Sequence, residues 1–266
     1  MIEPLPALFG LLVGFLVGLT GVGGGSLMTP FLVVTMGVPA PTAVGTDLVY
    51  ATATKLAGSA AHYRQRSVNL QVALFLGIGS IPASLLGVAT LELIERSFDA
   101  ATVRSIMITI IAATLVLVGV SLVFRIFLPV RGELPGKGGG WDGVSSMSLR
   151  RKIYTIVFGA TGGYLVGLTS IGSGSIMAII LLLLYPLSPA VVVGTDIVHA
   201  TVLSLVTGVA HATQGNVNLG LAATLLLGSI PGVLIGSHLA PRIPGKPLTI
   251  ILAAMLVFVG ARLLLS

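Results

Sequence analysis

The sequence predicts an all-α polytopic membrane protein made of two inverted repeats, each a glycine-broken re-entrant helical hairpin plus three transmembrane helices. Three observations lead to this class. Of the 266 residues, 55% are hydrophobic and only 8% are charged, whereas soluble domains carry about 25% charged residues. The two halves of the chain repeat each other, and the basic residues collect in particular loops. Long apolar stretches with so few charges are typical of membrane-spanning helices.

The internal repeat appears at a constant offset of 149 residues, the difference between positions 14 and 163. "GFLVGLTGVGGGS" at 14–26 matches "GYLVGLTSIGSGS" at 163–175. Downstream, the segments 44–70 and 193–219 share 14 of 27 residues. Similarity over this length indicates two copies of one structural unit. We therefore divide the chain into a first repeat at 1–128, a cytoplasmic linker at 129–152 and a second repeat at 153–266.

Each repeat is predicted to open with a hairpin of two short helices. Residues 5–20 and 26–37 would form only about 24 Å and about 18 Å of helix, whereas the hydrocarbon core is about 30 Å thick. Glycines at 21–25 separate the two pieces, and one long kinked helix is the alternative. Full spans follow each hairpin. They are predicted at 40–62, 70–93 and 101–128, and, after a second hairpin at 153–186, at 189–211, 219–240 and 248–265.

The basic residues predict the orientation of the spans. "RQR" at 64–66 ends the first full span, whereas the equivalent loop "TQGN" at 213–216 carries no charge. A cytoplasmic "RQR" places most lysines and arginines inside, as the positive-inside rule requires. An odd number of crossings per repeat then inverts the second copy, an arrangement typical of secondary transporters. Since these loops account for the net charge of +6, we expect the lipid bilayer as partner and no nucleic acid.

The composition and motifs argue against an enzyme. The absence of cysteine excludes disulfides and thiol chemistry. Neither H-E-x-x-H nor G-x-S-x-G occurs in the sequence. The polar elements recur in both copies, whereas catalysis usually needs one asymmetric arrangement. We expect no enzymatic activity, no cofactor and no metal, with a passive channel and an intramembrane enzyme as the alternatives to a transporter.

The glycine-rich breaks are the candidate substrate site. Glycine lets a ligand approach the backbone closely, and the free N–H groups that begin a half-helix attract anions. Ser26 and Ser175 stand where the second half-helices are predicted to begin, as N-caps. The alternative is close helix packing, to which we assign the outer glycines of "GFLVG" and "GYLVG". The candidate substrate-binding residues are Thr20, Gly23, Gly24, Gly25, Ser26, Thr169, Ser173, Gly174 and Ser175.

Ionisable residues inside the spans are candidates for ion coupling. Asp47 and Asp196 occupy the same position in the two copies of "VGTD". Each could carry a proton, or could pair with a threonine or cap a half-helix. Lys55 needs an anionic partner, which is either Asp47 or the substrate. His199 lies three residues after Asp196 and could handle protons with it.

Two further pairs of polar residues recur near the ends of spans. His62 and His211 are equivalent, and we expect both at the membrane interface. Asn69 and Asn218, each in "VNL", are predicted to be N-caps of the next span. We assign these positions to structure, with proton relay as the alternative for the two histidines.

The combination of motifs is similar to that of a known family. Paired glycine-rich hairpins, each followed by "VGTD" and later by "GSIP" at 79 and 228, resemble the sulfite exporter TauE/SafE family of membrane permeases. The resemblance covers nearly the whole chain. It implies a multi-pass protein of the bacterial cell membrane that exports small sulfur-containing anions such as sulfite or organosulfonates. The residues themselves indicate an anion and not its sulfur, and they leave the oligomeric state open, with a homodimer as one candidate.

Overall fold

The computed structural model describes residues 4–20, 24–127, 148–185, 187–239 and 245–265. These residues form ten α-helices and no strand, so the predicted all-α class is confirmed. The helices are α1 Pro4–Thr20, α2 Gly25–Val34, α3 Ala40–Arg64, α4 Leu70–Ser97, α5 Ala100–Phe127, α6 Leu149–Thr169, α7 Ile176–Leu184, α8 Pro189–Thr213, α9 Leu219–Leu239 and α10 Gly245–Leu264.

Five of the described helices are long and apolar enough to cross a membrane, namely α4, α5, α8, α9 and α10. They expose large apolar side chains, among them Leu86, Leu234 and Phe258. So much exposed apolar surface fits contact with lipid and not with water. α3 has 25 residues and is long enough to span, but it is less apolar because it carries charged and polar residues that lie between other helices.

The predicted break is present in both hairpins, but α6 is not short: its 21 residues form about 32 Å of helix, so the prediction of two short helices is wrong for the second hairpin. α1 ends at Thr20 and α2 begins at Gly25, while α6 ends at Thr169 and α7 begins at Ile176. α2 and α7 contain 10 and 9 residues, which is about 15 Å of helix or less and too short to cross the hydrocarbon core. In the second break Gly172 adopts a φ of +106°, a conformation that side chains rarely adopt.

α6 begins four residues before the predicted start of the second repeat, at 149 instead of 153. Ser148 is its N-cap and accepts a hydrogen bond from the Arg151 backbone N–H at 3.4 Å. The last four residues of the predicted linker, 129–152, are therefore helical. Residues 128–147, which form most of that linker, lie outside the described residues.

The two repeats interlock through reciprocal contacts. The Asn69 N–H donates to Thr195 Oγ1 at 2.9 Å, and the equivalent Asn218 N–H donates to Thr46 Oγ1 at 2.9 Å. α1 packs on α9 in the same way that α6 packs on α4. Because each contact recurs with the repeats exchanged, an approximate twofold relation connects the two halves.

Equivalent helices of the two repeats run antiparallel. Ser59, late in α3, contacts Thr201, early in α8, at 2.7 Å between hydroxyl oxygens. Gly208, late in α8, instead lies against Leu48, early in α3. The glycine contacts between α5 and α10 show the same reversed order. The packing of α3 on α8 and of α5 on α10 is therefore antiparallel.

Glycines allow the closest approaches between the repeats. A Cβ added to Gly14 would lie 2.4 Å from the Ser229 carbonyl oxygen, and one added to the equivalent Gly163 would lie 2.2 Å from the Ser80 carbonyl oxygen. No side chain fits at these distances. The assignment of these outer glycines to helix packing is therefore confirmed.

Polar side chains cap the helices at the loops. Asn69 Oδ1 accepts from the Val72 N–H at 3.0 Å, and Asn218 Oδ1 accepts from the Leu221 N–H at 2.9 Å, so both predicted N-caps are confirmed. Asp99, between α4 and α5, accepts hydrogen bonds from the Thr102 hydroxyl and nearby backbone N–H groups, which lower its pKa. These caps satisfy N–H groups that have no partner inside the helix.

Candidate functional site

The two hairpin breaks meet in the protein interior. Gly25, the first residue of α2, lies directly against Ser170 in the second break. A Cβ at Gly25 would lie 2.5 Å from the Ser170 carbonyl oxygen and 3.1 Å from Asp47 Oδ2. Only glycine fits between these groups. The contact therefore joins the beginning of α2, the second break and α3 at one point.

Asp47 is fully buried at this junction. Its Oδ2 accepts hydrogen bonds from Thr29 Oγ1 on α2 and from Ser170 Oγ, both at 2.8 Å. Its Oδ1 has no hydrogen-bond partner in the described part of the chain. Of the roles that the sequence left open, pairing with a threonine is observed, and proton transfer stays a prediction. Neither Thr29 nor Ser170 was selected from the sequence, although both lie within or next to the breaks.

Asp196 is equally buried but has different surroundings. It is 4% exposed, and within the described residues no hydrogen bond reaches its carboxylate. Lys55 and Arg125 interact with it electrostatically, but neither forms a salt bridge with it within the described ranges. The two equivalent aspartates are therefore both buried, and only Asp47 is held by hydroxyl donors.

Lys55 connects α3 with the second break. Its Nζ donates a hydrogen bond to Ser173 Oγ at 2.6 Å, and its charge interacts with both Asp196 and Asp47. Of the two candidate partners named from the sequence, Asp47 forms no salt bridge with it among the described side chains. The lysine thus lies at the break with an ammonium group that no carboxylate neutralises directly.

The start of α7 contains several polar groups without partners. Ser175 occupies the N-cap position, as predicted, but its hydroxyl makes no capping hydrogen bond and has no partner among the described groups. The N–H groups of Met177 and Ala178 likewise donate to no backbone acceptor in the described residues. All three residues are at least 98% buried. A helix N-terminus with a free hydroxyl and free N–H groups is suited to an anion.

The first break is organised differently. Ser26 is the second residue of α2, and the N-cap is Gly24, so the prediction that Ser26 is the N-cap is wrong. The reason is that Gly25 fits against the second break, and the helix begins there. A Cβ at Gly24 would lie 3.3 Å from the Tyr50 ring. The polar groups of the two breaks are therefore not equivalent.

The remaining predicted substrate residues have varied positions. Thr169 is buried, and its hydroxyl donates to the Leu165 carbonyl at 2.7 Å and accepts from the Ile171 N–H at 3.2 Å, so it is satisfied within its own turn. Gly174 lies in the turn before α7 and is partly exposed. Gly23 lies outside the described residues, and for Thr20 the structure describes the backbone as the end of α1 only.

His199 and His211 differ from the sequence-based expectations. His199 Nε2 lies 2.7 Å from Ser80 Oγ on α4, and no hydrogen bond joins it to Asp196 in the described structure. Its Nδ1 has no partner among the described residues. His62 is half-buried, with Nδ1 2.8 Å from Ser67 Oγ. His211, expected at the interface, is instead fully buried, and its Nε2 lies 2.9 Å from the Gly167 carbonyl oxygen on α6.

Taken together, the antiparallel apolar helices, the broken hairpins and the buried charges between them define a class, the multi-pass helical membrane transporters. The profile of the family "Sulfite exporter TauE/SafE" matches residues 6–263. The chain is 45% identical over 258 residues to "Probable membrane transporter protein YjnA" of Bacillus subtilis (strain 168), an alignment that covers 97% of this chain and 98% of that protein.

More distant relatives carry similar names. "Probable membrane transporter protein YdhB" of Bacillus subtilis (strain 168) is 25% identical over 88% of each chain. "Probable membrane transporter protein MJ0441" of Methanocaldococcus jannaschii is 26% identical over 100% of this chain and 96% of its own. No solved structure matches the chain. The chain belongs to the sulfite exporter TauE/SafE family, and it is a membrane transporter of that type.

Proposed function

We propose that this protein is a secondary transporter that moves a small sulfur-containing anion, of the sulfite or organosulfonate class, across the bacterial cell membrane by alternating access with proton coupling. One observation carries the proposal. The Lys55 ammonium group donates to Ser173 at 2.6 Å and lies beside the start of α7, without a salt-bridged carboxylate among the described residues. A partly buried cation next to free N–H groups favours an anionic ligand.

The bound anion would be held from two sides. Lys55 supplies the positive charge from α3, and the α7 N-terminus supplies the Met177 and Ala178 N–H groups and the Ser175 hydroxyl. Hydrogen bonds that involve a charged partner are shorter and stronger than neutral ones. In a buried site these donors also replace the water that the anion loses. Sulfite and sulfonate groups present three oxygens, which suits several converging donors.

The assignment of a sulfur-containing substrate rests on the family name, which describes sulfite exporters. The relatives are named as transporters without a substrate. The outward direction also follows from the family name. The absence of enzymatic activity is part of the proposal and is supported by the transporter names of the relatives.

The arrangement of the repeats supports alternating access. The antiparallel packing of α3 on α8 supports the inverted-repeat topology, since these helices are equivalent in the two copies. In inverted-repeat transporters, substrate binds at the interface of the repeats and the copies exchange conformations. In the first copy, Asp47 accepts a hydrogen bond from Ser170 and Lys55 donates one to Ser173, and both serines lie in the second break. Rocking one repeat against the other would change these contacts.

Flux into liposomes tests the proposal. Purified protein is reconstituted, and uptake of sulfite and of methanesulfonate is measured with and without an imposed pH difference. Accumulation above the external concentration, driven by the pH difference, supports a proton-coupled transporter. Downhill flux alone indicates a channel, and no flux of either anion contradicts the proposed substrate class. Methanesulfonate keeps its charge across neutral pH, so its flux reports on the protein and not on the protonation of the substrate.

Substitution at Lys55 tests the location of the site. Lys55→Met removes a hydrogen bond to a charged group, about 1.5–3 kcal/mol, so we expect about 10- to 150-fold weaker anion binding. Lys246→Met, the same change at an exposed lysine, is the control and should bind normally. Ser175→Ala should weaken binding about 2- to 10-fold, with the exposed Ser105→Ala as its control. Unchanged affinity in Lys55→Met would place the anion elsewhere.

A further inference from the structure

The two repeats supply hydrogen-bond donors to only one of their two equivalent aspartates. Asp47 accepts from Thr29 and Ser170. By the repeat offset, the positions that correspond to these donors around Asp196 are 29 + 149 = 178 and 170 − 149 = 21. They are occupied by alanine and glycine, which have no hydroxyl group. The sequence and the contacts therefore both show that only Asp47 has hydroxyl donors.

We propose that the two aspartates have different roles: Asp196 binds and releases the coupling proton, whereas Asp47 stays ionised and holds the two hairpin breaks together. Hydroxyl donors stabilise an ionised carboxylate, and a buried carboxylate without donors readily takes up a proton. Asp47 has two such donors on one oxygen, and Asp196 has none in the described structure. The inference rests on the proposed transport function and assigns its coupling site.

The charged and titratable groups around Asp196 come from three helices. Lys55 on α3 and Arg125 on α5 interact with it electrostatically, without a salt bridge among the described residues. His199 lies on the same helix, α8, and its Nε2 is engaged by Ser80 of α4. Asp47, on the same helix as Lys55, also interacts with it electrostatically. α7 contains no titratable residue. Lys55 is therefore the cation that lies between Asp196 and the second break.

This position of Lys55 links the proton to the anion. In the empty site, the charge of Lys55 favours the ionised form of Asp196. An anion at the α7 N-terminus, beside Ser173 and Lys55, offsets that charge and so favours protonation of Asp196. By reciprocity, protonation removes the negative charge of Asp196, so Lys55 attracts the anion more strongly and anion binding strengthens. One proton then binds with one anion, and both cross the membrane in the same direction. Outward movement of the anion therefore carries a proton outward and is driven by the anion gradient.

The test measures how anion binding depends on pH in the purified full-length protein. The probe is methanesulfonate, whose charge is constant over the range. With one linked proton, the dissociation constant should rise tenfold for each pH unit on the alkaline limb of the wild-type curve. In Asp196→Asn, which imitates the protonated acid, that dependence should disappear. In Asp47→Asn the tenfold slope should persist, although binding is weaker.

Two milder variants keep the test decisive if Asp47→Asn does not fold. Thr29→Val removes a donor from Asp47, and it should leave the midpoint of the pH dependence unchanged. Ala178→Ser places a hydroxyl at the equivalent position near Asp196, and it should move the midpoint to lower pH by about 1 unit. A persistent slope in Asp196→Asn, or a midpoint that moves in Thr29→Val but not in Ala178→Ser, overturns the inference. If the wild type binds and transports neither methanesulfonate nor sulfite, the proposed function fails instead.

Discussion

Substitution of Gly25 by alanine tests the contact between the two hairpin breaks. The added Cβ would lie 2.5 Å from the Ser170 carbonyl oxygen, whereas ordinary contacts begin at 3.4 Å. Ser170 must therefore move by about 3.4 − 2.5 = 0.9 Å. A displacement of that size along the bond would stretch the hydrogen bond of 2.8 Å from Ser170 Oγ to Asp47 to about 3.7 Å, beyond hydrogen-bonding distance.

The expected cost combines two effects. Overpacking a close contact costs typically 1–3 kcal/mol, and loss of a hydrogen bond to a charged group costs about 1.5–3 kcal/mol. Because the backbone relaxes partly, we expect Gly25→Ala to lose about 2–4 kcal/mol of stability. Thermal unfolding of the detergent-purified protein measures this loss, and liposome uptake of sulfite measures the accompanying loss of transport.

The neighbouring glycine provides the matched control. A Cβ at Gly24 would lie 3.3 Å from the Tyr50 ring, a side chain that can shift by a few tenths of an ångström. Gly24→Ala should therefore keep most of the stability and transport. Two results would contradict this reasoning. Either Gly25→Ala has the stability and transport rate of the wild type, or Gly24→Ala lowers them more than Gly25→Ala does. In both cases the contact between Gly25 and Ser170 is less close than the structure shows.

The remaining predictions concern topology and capping. Single cysteines at the exposed positions Gln65 and Thr213, introduced into this cysteine-free chain, should react with an impermeant maleimide from opposite sides of the membrane; reaction from the same side contradicts the inverted topology. Asn69→Ala and Asn218→Ala should each lower stability by about 1 kcal/mol, because each removes the same N-cap in its repeat. If either variant unfolds at the same temperature as the wild type, the N-cap it removes does not stabilise the protein.

Local features of the fold were predictable from the sequence. The glycine-rich segments cannot maintain a helix in the membrane, and the breaks occur between α1 and α2 and between α6 and α7 as expected. The N-caps Asn69 and Asn218 follow from the residue type and the apolar run that comes after each. The close-packing role of Gly14 and Gly163 follows from their spacing. Each of these features depends on residues near one another in the chain.

Long-range partners were not predictable in this way. Ser170 donates to Asp47 across 123 residues, and Lys55 donates to Ser173 across 118 residues. No periodicity or spacing indicates which side chains meet over such distances. The internal repeat itself misleads here, because it presents the aspartates as equivalent. The contacts of Thr29 and Ser170 identify the sequence differences, Ala178 and Gly21 at the equivalent positions, that distinguish the two aspartates.

The errors at helix ends have physical causes as well. Ser26 has the residue type of an N-cap, but the close contact of Gly25 with the second break starts the helix one residue earlier. His211 lies near the end of α8, where a histidine usually reaches the interface. Its Nε2 instead lies 2.9 Å from the Gly167 carbonyl oxygen at the end of α6. In both cases packing against another helix decides the position.

A crystal of the protein with a bound anion would show whether the second break is the binding site. Selenite is the selenium analogue of sulfite, and its selenium atom gives an anomalous X-ray signal in a crystal of the protein. We expect an anomalous peak at the second break, with selenite oxygens within hydrogen-bonding distance of Lys55 Nζ and Ser175 Oγ, and no such peak in Lys55→Met. A peak at any other place, with the α7 N-terminus unoccupied, would contradict this expectation.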